Sequence, residues 1–484
     1  MPYRTARNKV NKMKKKAKVN YFNSKFTEYS SNSKKTWTLI NSIISKKSKS
    51  LAESFIIDNC LVVDKNIIAN KFNSHFANAG LQLAETLPET QLNFRNFLPE
   101  RIINSMFLTP VTSDELTKLV HSLSNTSAGY DDVPISLLKH VINLICNILV
   151  DIFNKSFTSG IFPDSLKIAK LTPVHKKDNK QLIENYRPIA VLSSFSKLLE
   201  KLMCNRLNNF LKQNAVISES QFGFRESRGT PSAILKLNEH VLKNFDSKKI
   251  TAAVFLDLSK AFETINHKIL LHKLEHFGIR GNVLQWFSSY LKNRSQFVNF
   301  NGVKSDSAIL NISVPQGSVL GPSLFNLYIN DLTRSSNRLN YILFADDSTV
   351  YFSADNMKVI TDTLNQELDR VYEWTVANKL TINFKKTNYI VFNRNRTLDL
   401  VNHDPIRISN KTIEEAQKTT FLGVIVQKDL KWNSHIQFIS AKINKKCGIL
   451  YLIRDLMPKN ILIDLYYSIV YPHILYCNII WGNT

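Results

Sequence analysis

The stretch Tyr341-Ile342-Leu343-Phe344-Ala345-Asp346-Asp347-Ser348-Thr349-Val350-Tyr351-Phe352 places two adjacent acids between two apolar runs. β-Branched and aromatic residues on both sides of a short acidic step predict a β-hairpin with Asp346 and Asp347 at its turn. Two carboxylates at a sheet edge can hold a hard divalent cation. The alternative for this stretch in isolation is an Asp-Asp turn present for turn chemistry alone, because short motifs also occur by chance.

A third acid ends another apolar run. The segment Ala252-Ala253-Val254-Phe255-Leu256-Asp257-Leu258 is nearly continuous in apolar residues. This pattern predicts a buried strand that delivers Asp257 to its C-terminal edge. The alternative is that Asp257 only caps a helix that starts at Ser259. Although 89 residues separate Asp257 from Asp346, a strand end and a hairpin tip can converge on one point.

Three converging carboxylates suit a specific chemistry. They can hold two divalent ions roughly 3.5–4 Å apart, an arrangement that stabilises the attacking and leaving oxygens in phosphoryl transfer. Mg²⁺ suits such a site because it prefers oxygen ligands and keeps waters for substrate phosphates. Mn²⁺ is the alternative ion. The sequence therefore predicts a phosphoryl-transfer site at Asp257, Asp346 and Asp347.

Three further segments carry side chains that could serve such a site. Phe262, a bulky residue, follows Asp257 by five positions. The Pro- and Gly-bounded loop 313–322 presents Gln316 and Gly317, and its Gly321-Pro322 step predicts a helix start. Arg187 precedes a proline that stiffens the backbone, and a guanidinium suits bidentate phosphate contact. The alternative for Arg187 is a salt-bridged surface residue.

The remaining periodicity predicts a mixture of helices and strands. We expect helices that begin near Ser113 and at about 135–159, 198–211, 230–245, 360–377 and 434–484, and strands at 171–175, 380–387 and 389–392, with a short strand or hairpin at 421–424.

Length and charge limit the possible classes of protein. The chain has 484 residues, 44% of them hydrophobic, which predicts a folded protein of two to four lobes. Its formal net charge of +24 favours a polyanionic partner such as nucleic acid. Residues 1–50 contain 14 Lys/Arg and one acid, so 14 − 1 leaves +13 in that segment.

Aromatic residues interleave the charges of this N-terminal segment, namely Tyr21, Phe22, Phe26, Tyr29 and Trp37. Charge for phosphates together with rings for stacking favours a nucleic-acid-binding arm. The rings could equally dock the arm onto its own protein. A solvated helix face or a nuclear-import run are further alternatives.

The sequence argues against several other classes. Its five cysteines form no CxxC pair and no zinc-ligand spacing. Apolar neighbours of Cys146, Cys204 and Cys477 favour buried thiols in a reducing compartment. The basic N-terminus lacks the apolar core of a secretory signal. Because no uninterrupted apolar run reaches about 18 residues, we expect no membrane partner.

Several motifs occur in the order found in one family. Phe255-Leu256-Asp257 to Phe262, Pro315-Gln316-Gly317, Phe344 to Asp347 and Phe421-Leu422-Gly423 resemble motifs A, B, C and E of reverse transcriptases. The version resembles that of non-LTR (LINE-type) retrotransposons, most closely the Jockey group. Lys176-Lys177-Asp178, Asn185 to Ile189 and Gln221 to Arg225 are similar to its finger motifs. The resemblance covers about residues 110–480.

The resemblance implies an α+β fold of the right-hand polymerase type, with fingers, a palm of antiparallel sheet plus helices, and a helical thumb. The implied domains are a basic N-terminal extension or linker (1–109), fingers and palm (110–425) and a helical thumb, either whole or truncated (426–484). An upstream endonuclease, an RNase H domain and a Cys/His knuckle are not expected in this chain. We therefore expect either the polymerase segment of a larger element or a truncated copy.

The resemblance also implies roles for particular residues. Asp257, Asp346 and Asp347 would be the catalytic metal ligands, helped by the Leu258 carbonyl. The other implied roles are triphosphate binding by Lys176 and Arg187, a steric gate at Phe262, nucleotide and template contacts by Gln316 and Gly317, assistance to the leaving pyrophosphate by Lys386 (with Lys385 as a competitor), and a primer grip formed by Phe421, Leu422, Gly423 and Val424.

The implied function is RNA-directed DNA polymerase activity in retrotransposition. Its partners would be an RNA template, a DNA primer or target DNA, dNTPs and other retroelement domains or proteins. An inactive remnant that binds nucleic acid is the alternative. An RNA-dependent RNA polymerase fits less well because the bulk of Phe262 would oppose a ribose 2′-hydroxyl. We expect an intracellular location, nuclear at the site of integration, with a cytoplasmic particle as the alternative.

Overall fold

Four stretches of the chain, residues 2–30, 32–44, 52–393 and 404–482, are described by a computed structural model. The chain divides into two compact units. The larger is Leu51–Gln417, and the smaller combines Met1–Ser50 with Lys418–Thr484.

Helices form much of both units. In chain order they are α1 (Pro2–Glu28), α2 (Ser33–Ile43), α3 (Lys65–Glu85), α4 (Ser113–Ser122), α5 (Ile135–Ser159), α6 (Ser194–Gln213), α7 (Thr230–Asp246), α8 (His267–His276), α9 (Gly281–Leu291), α10 (Gly321–Tyr328), α11 (Met357–Ala377), α12 (Asn433–Ile453), α13 (Lys459–Leu465), α14 (Tyr471–Leu475) and α15 (Asn478–Trp481).

The strands are mostly short. They are β1 (Phe55–Ile57), β2 (Cys60–Val62), β3 (Ile168–His175), β4 (Tyr186–Leu192), β5 (Ile250–Asp257), β6 (Arg294–Phe300), β7 (Val303–Lys304), β8 (Ala308–Leu310), β9 (Asn340–Phe344), β10 (Asp347–Ala354), β11 (Asn388–Phe392), β12 (Arg407–Ile408), β13 (Lys411–Thr412), β14 (Glu414–Glu415), β15 (Lys418–Phe421) and β16 (Val424–Gln427).

One five-stranded sheet, which we call the acid-bearing sheet, has the order β14-β11-β5-β10-β9. Its four strands from β11 to β9 are antiparallel, whereas β14 pairs with β11 in parallel. Strand β5 lies in the middle and is almost entirely buried, as its apolar run predicts. Helices α7 and α11 pack against this sheet. The predicted mixture of antiparallel sheet and helices is therefore present.

A second sheet of the larger unit has the order β4-β3-β6-β7, and β8 also pairs with β6. Strands β3 and β4 are antiparallel, and β3 and β6 are parallel. Helix α3 packs on this sheet, where Phe55, Phe72, Tyr186 and Phe300 form a cluster of aromatic rings. Residues 52–85 contribute the β1–β2 hairpin and helix α3 to this part of the unit.

Helix predictions are confirmed at most positions. Helix α5 ends where expected, because Gly160 follows it with φ +68°, the left-handed conformation that glycine adopts most easily. The strand predicted at 380–387 is wrong. That segment contains turns and a single bridge between Ile382 and Leu258, so its apolar residues are buried without a ladder.

Helix α5 is also the one helix among the described residues that is long and apolar enough to cross a membrane, with a mean hydropathy of 1.7. Its inner residues, including Leu138, Ile142 and Phe153, are buried within the larger unit. Length and composition are weak grounds for a membrane segment, because buried core helices have the same properties.

In the smaller unit, the N-terminal helices pack on the C-terminal ones. Phe26 and Ile40 are buried with Ile453, Met457 and Ile461 in one apolar cluster. Other aromatic side chains of the N-terminal segment stay accessible, since Tyr21 is 57% and Trp37 is 38% exposed. Some rings therefore dock the arm onto its own protein, while most lysines of α1 face solvent.

Candidate active site

The predicted acidic hairpin is present. Strands β9 and β10 pair so that Phe344 lies opposite Asp347, which leaves Ala345-Asp346 as a two-residue turn. On its other side, β10 pairs with β5, and Asp347 lies opposite Asp257. The carboxylates of two neighbouring strands and of the adjoining turn are thus brought to one edge of the acid-bearing sheet.

The end of β5 is held by the segment that follows α11. Asn383 donates its backbone N–H to the Asp257 carbonyl at 2.8 Å, and Ser259 donates to the Thr381 carbonyl at 2.8 Å. Leu258, whose carbonyl is a predicted metal ligand, forms an isolated bridge with Ile382 and its side chain is buried. Backbone hydrogen bonds at Asp257 and at Ser259 therefore fix the end of strand β5, which carries the Asp257 side chain.

The three carboxylates influence one another electrostatically. Partial burial, followed by the charges of Asp346 and Asp257, raises the pKa of Asp347 to about 6. Partial burial also raises the pKa of Asp346, and the Asp257 charge adds to this effect. The side chains of Asp346 and Asp347 still reach solvent. Removal of part of their hydration and mutual repulsion both favour the protonated form.

Lysine side chains partly offset the negative charge of the three acids. The Lys386 ammonium lies 3.1 Å from Asp257 Oδ2. It opposes the rise in the pKa of both Asp346 and Asp347, and Lys176 opposes that of Asp346. Among the described residues, Asp257 is the one acid of the three that forms an ion pair.

These side chains fit a divalent cation chemically. Hard cations take carboxylate and carbonyl oxygens, and a cation would stabilise the ionised form of carboxylates whose pKa is raised by burial and mutual repulsion. In the parts of the chain that the structure describes, however, no three Asp, Glu, His or Cys side chains are arranged closely enough to hold an ion as they stand.

Phe262 and the loop that contains Gln316 and Gly317 lie side by side. Val314 N–H donates to the Phe262 carbonyl at 3.2 Å, and the Phe262 ring stacks on Phe325 of α10 with centroids 4.6 Å apart. Gly317 has φ +107°, and a Cβ there would lie 2.7 Å from the Ala190 carbonyl oxygen. Only glycine fits this close approach of the loop to β4.

Lys176 and Arg187 belong to the β3–β4 pair. Lys176 directly follows β3, and its N–H donates to the Asn185 carbonyl at 2.9 Å. Arg187 lies opposite Val174 and its side chain is exposed. Strand β4 is tied to the Gln316 loop because Ala190 N–H donates to the Gln316 carbonyl at 2.9 Å. The larger unit therefore brings the Lys176–Arg187 strands, the loop and Phe262 together.

Phe421 to Val424 lie in the smaller unit. They form the tip of the β15–β16 hairpin, where Phe421 pairs with Val424 and both are buried. The turn residues Leu422 and Gly423 have φ +46° and +83°, the pattern of a type I′ turn. The predicted short hairpin is confirmed.

Glu263 contacts the Gln316 side chain, although no sequence motif singled it out. Its Oε1 accepts a hydrogen bond from Gln316 Nε2 at 3.1 Å, while its Oε2 is buried without a hydrogen-bond partner in the described structure. Burial raises the pKa of Glu263, an effect that Lys260 opposes. The only feature of the sequence that points to Glu263 is its position directly after Phe262.

The raised pKa of Asp347 predicts a change in stability. An acid whose pKa is higher in the folded chain binds more protons when folded, so this group lowers stability as pH rises from 3.8 to about 6. Above that pH range, the destabilisation caused by ionised Asp347 no longer changes with pH. We expect Asp347→Asn to raise the free energy of unfolding at pH 7, without divalent cations, by roughly 1 kcal/mol after allowance for solvent screening.

Thermal unfolding in EDTA, at pH 7 and at about pH 4, measures this effect. The gain should be about 2 °C at pH 7 and should disappear at the lower pH. Asp362→Asn, which changes an exposed acid of α11, is the control and should show no such difference. A variant no more stable than the parent chain at pH 7 would contradict the proposed repulsion.

Comparison with known proteins gives consistent matches. Residues 174–426, just over half of the chain, match the family model "Reverse transcriptase (RNA-dependent DNA polymerase)". The chain is 28% identical over 387 residues to "Probable RNA-directed DNA polymerase from transposon BS" of Drosophila melanogaster, covering 77% of this chain and 41% of the relative.

Two further relatives are similar. The "RNA-directed DNA polymerase from mobile element jockey" of Drosophila funebris is 27% identical over 388 residues, covering 77% of this chain and 42% of the relative. The probable polymerase from transposon X-element of Drosophila melanogaster is 27% identical over 430 residues, covering 86% and 45%. The chain thus spans less than half the length of these curated relatives. The predicted resemblance to non-LTR elements of the Jockey type is confirmed.

Proposed function

Because the chain belongs to the reverse transcriptase (RNA-dependent DNA polymerase) family, we propose that it copies RNA into DNA by transferring nucleotides from dNTPs to a primer 3′-hydroxyl. The observation that carries this proposal is the pairing of Asp347 with Asp257, with Asp346 in the adjoining turn. This pairing concentrates negative charge at one sheet edge, where a divalent cation has most to neutralise.

We assign the cofactor as two Mg²⁺ ions, with Mn²⁺ as the alternative. Asp257, Asp346, Asp347 and the Leu258 carbonyl are the proposed ligands because hard cations prefer oxygen donors. When bound, such ions supply the positive charge that favours an ionised 3′-hydroxyl and a leaving pyrophosphate. In their absence Lys386 supplies positive charge at Asp257.

The chain's own residues would bind and orient the substrates. Lys176 and Arg187 would bind a triphosphate, and Arg187 could do so through two parallel hydrogen bonds. Phe262 would exclude a 2′-hydroxyl from the space beside its ring. The proposed roles of the others are nucleotide and template contact by Gln316 and Gly317, assistance to the leaving group by Lys386, and primer binding by Phe421, Leu422, Gly423 and Val424.

In domain terms, we propose a right-hand polymerase. Residues 110–425 would form fingers and palm, 426–484 a helical thumb, and 1–109 a basic N-terminal extension. Within this scheme the acid-bearing sheet is the palm. The proposed partners are an RNA template and a DNA primer or target DNA, and the proposed location is intracellular, at the site of integration in the nucleus or in a cytoplasmic particle.

Primer extension by the purified chain tests this function. The reaction contains an RNA template, an annealed DNA primer, dNTPs and Mg²⁺, and we expect DNA products that stop in EDTA. Binding to the same RNA should weaken steeply as salt rises because phosphate contacts release counterions. Salt-sensitive RNA binding without extension would instead support the inactive-remnant alternative, and neither binding nor extension would contradict both.

A further inference from the structure

A short segment outside the predicted site lies along the strand that leads to the acids. Phe222 N–H donates to the Leu343 carbonyl at 2.7 Å, and Leu343 N–H donates to the Ser220 carbonyl at 2.8 Å. Gln221 and Leu343 thereby form a parallel bridge. Residues 220–224, which we call the supporting segment, continue the acid-bearing sheet beyond its edge strand β9.

The Gln221 side chain reaches from this segment to the acidic turn. It is only 1% exposed, and its Oε1 accepts hydrogen bonds from Gly223 N at 2.8 Å and from Ala345 N at 3.4 Å. Ala345 N–H is the first N–H of the two-residue turn and is not part of the strand ladder. Because Ala345 is itself buried, its N–H would otherwise carry the cost of an unpaired buried donor.

The conformation of this turn makes the contact more important. Ala345 has φ +54°, a left-handed conformation that costs a residue with a Cβ about 1–2 kcal/mol. Hairpins of this kind normally place glycine at that position. An alanine turn therefore needs contacts from outside the hairpin to hold it, and the Gln221 amide provides one directly.

Two further features constrain the supporting segment. A Cβ added at Gly223 would lie 2.5 Å from Ala345 N, so any larger residue there would push on the turn. Asn326 of α10 donates its Nδ2 to the Gly223 carbonyl at 2.8 Å. The same segment thus contacts the turn that carries Asp346 and the helix that follows the Gln316 loop.

We propose that Gln221 is a positioning residue for the polymerase site: its amide holds the Ala345-Asp346 turn, and with it the two adjacent carboxylates, in the geometry needed for nucleotide transfer. The inference rests on the proposed function, since it concerns the same site. Gln221 acts through the turn and does not contact the reacting atoms.

The Gln221→Met variant tests this role, because methionine keeps most of the volume but cannot accept the two hydrogen bonds. In single-nucleotide primer extension we expect kcat to fall about 10- to 100-fold, as expected for a misplacement of about 1 Å. The KM for dNTP and the affinity for template RNA should stay within about twofold of wild type, since the residues proposed to bind them are unchanged. Gln213→Ala, which alters an exposed glutamine of α6, is the matched control.

A second variant, Gly223→Ala, disturbs the same turn by a steric route and should produce the same loss of kcat with an unchanged KM. This variant keeps the proposal testable if Gln221→Met folds poorly. A Gln221→Met chain that folds and retains wild-type kcat would overturn the proposal, as would a folded Gly223→Ala chain with wild-type kcat. An inactive wild-type chain would instead overturn the proposed function, and with it this role.

Discussion

Asp346→Asn is expected to reduce primer extension by at least about 10²–10³-fold, the cost of removing one preorganised charge-stabilising group. Asparagine keeps the shape of the side chain but removes a charge from the group of three acids. The fold should tolerate the change, because partial burial already disfavours the ionised form of Asp346. Gel-based extension on an RNA template, with melting temperature measured in parallel, would detect the loss.

Template affinity separates a catalytic defect from a binding defect. RNA binding should depend mainly on the basic residues that give the chain its +24 charge, so the Asp346→Asn variant should bind RNA about as tightly as the wild type. Asp362→Asn serves again as an exposed-acid control. Extension that survives in Asp346→Asn would contradict the assignment of this acid as a metal ligand.

Phe262→Ala is expected to raise the use of ribonucleotides relative to deoxyribonucleotides by about 10- to 100-fold, the range of discrimination that a pocket wall achieves against an added hydroxyl. The Phe262 ring is held in place by stacking on Phe325 at 4.6 Å. Removing the ring opens space beside the sugar while the acids and the Gln316 loop keep their backbone. The ratio of kcat/KM for matched rNTP and dNTP measures the effect.

Phe262→Tyr is the matched control, since it keeps an aromatic ring at the same position and should keep the preference for dNTPs. Loss of dNTP use in Phe262→Ala should be smaller than the gain in rNTP use, because the ring is proposed to exclude and not to bind. An unchanged ratio in Phe262→Ala would rule out a steric gate at this residue. It would also reopen the alternative of an RNA-dependent RNA polymerase.

The local features of the acid-bearing sheet were predictable from local patterns. The apolar run before Asp257 and the two runs around Asp346 predicted β5 and the β9–β10 hairpin, because side-chain alternation and β-branched content act over a few residues. Helix α5 was equally clear from its periodicity and its terminal glycine. Each of these elements is specified by residues that are close together in the sequence.

The segment 380–387 shows where this reasoning fails. Its apolar residues matched the pattern of a strand. In the structure the segment forms turns, and its backbone makes hydrogen bonds with the end of β5. Sequence periodicity did not predict the β1–β2 hairpin, because its three-residue strands are too short to give a periodic signal. Short apolar stretches depend on what lies beside them.

By itself, the sequence determined the family and the mixed α+β class and singled out Asp257, Asp346 and Asp347 as candidate ligands, because each is encoded in ordered motifs of contiguous residues. Only the tertiary structure decided that Asp347 lies opposite Asp257, that Glu263 contacts Gln316, and that Gln221 reaches the acidic turn. The residues in these contacts are 53 to 124 positions apart in the sequence. Their distances depend on the register of the sheet and on how the loops close, which no local pattern specifies.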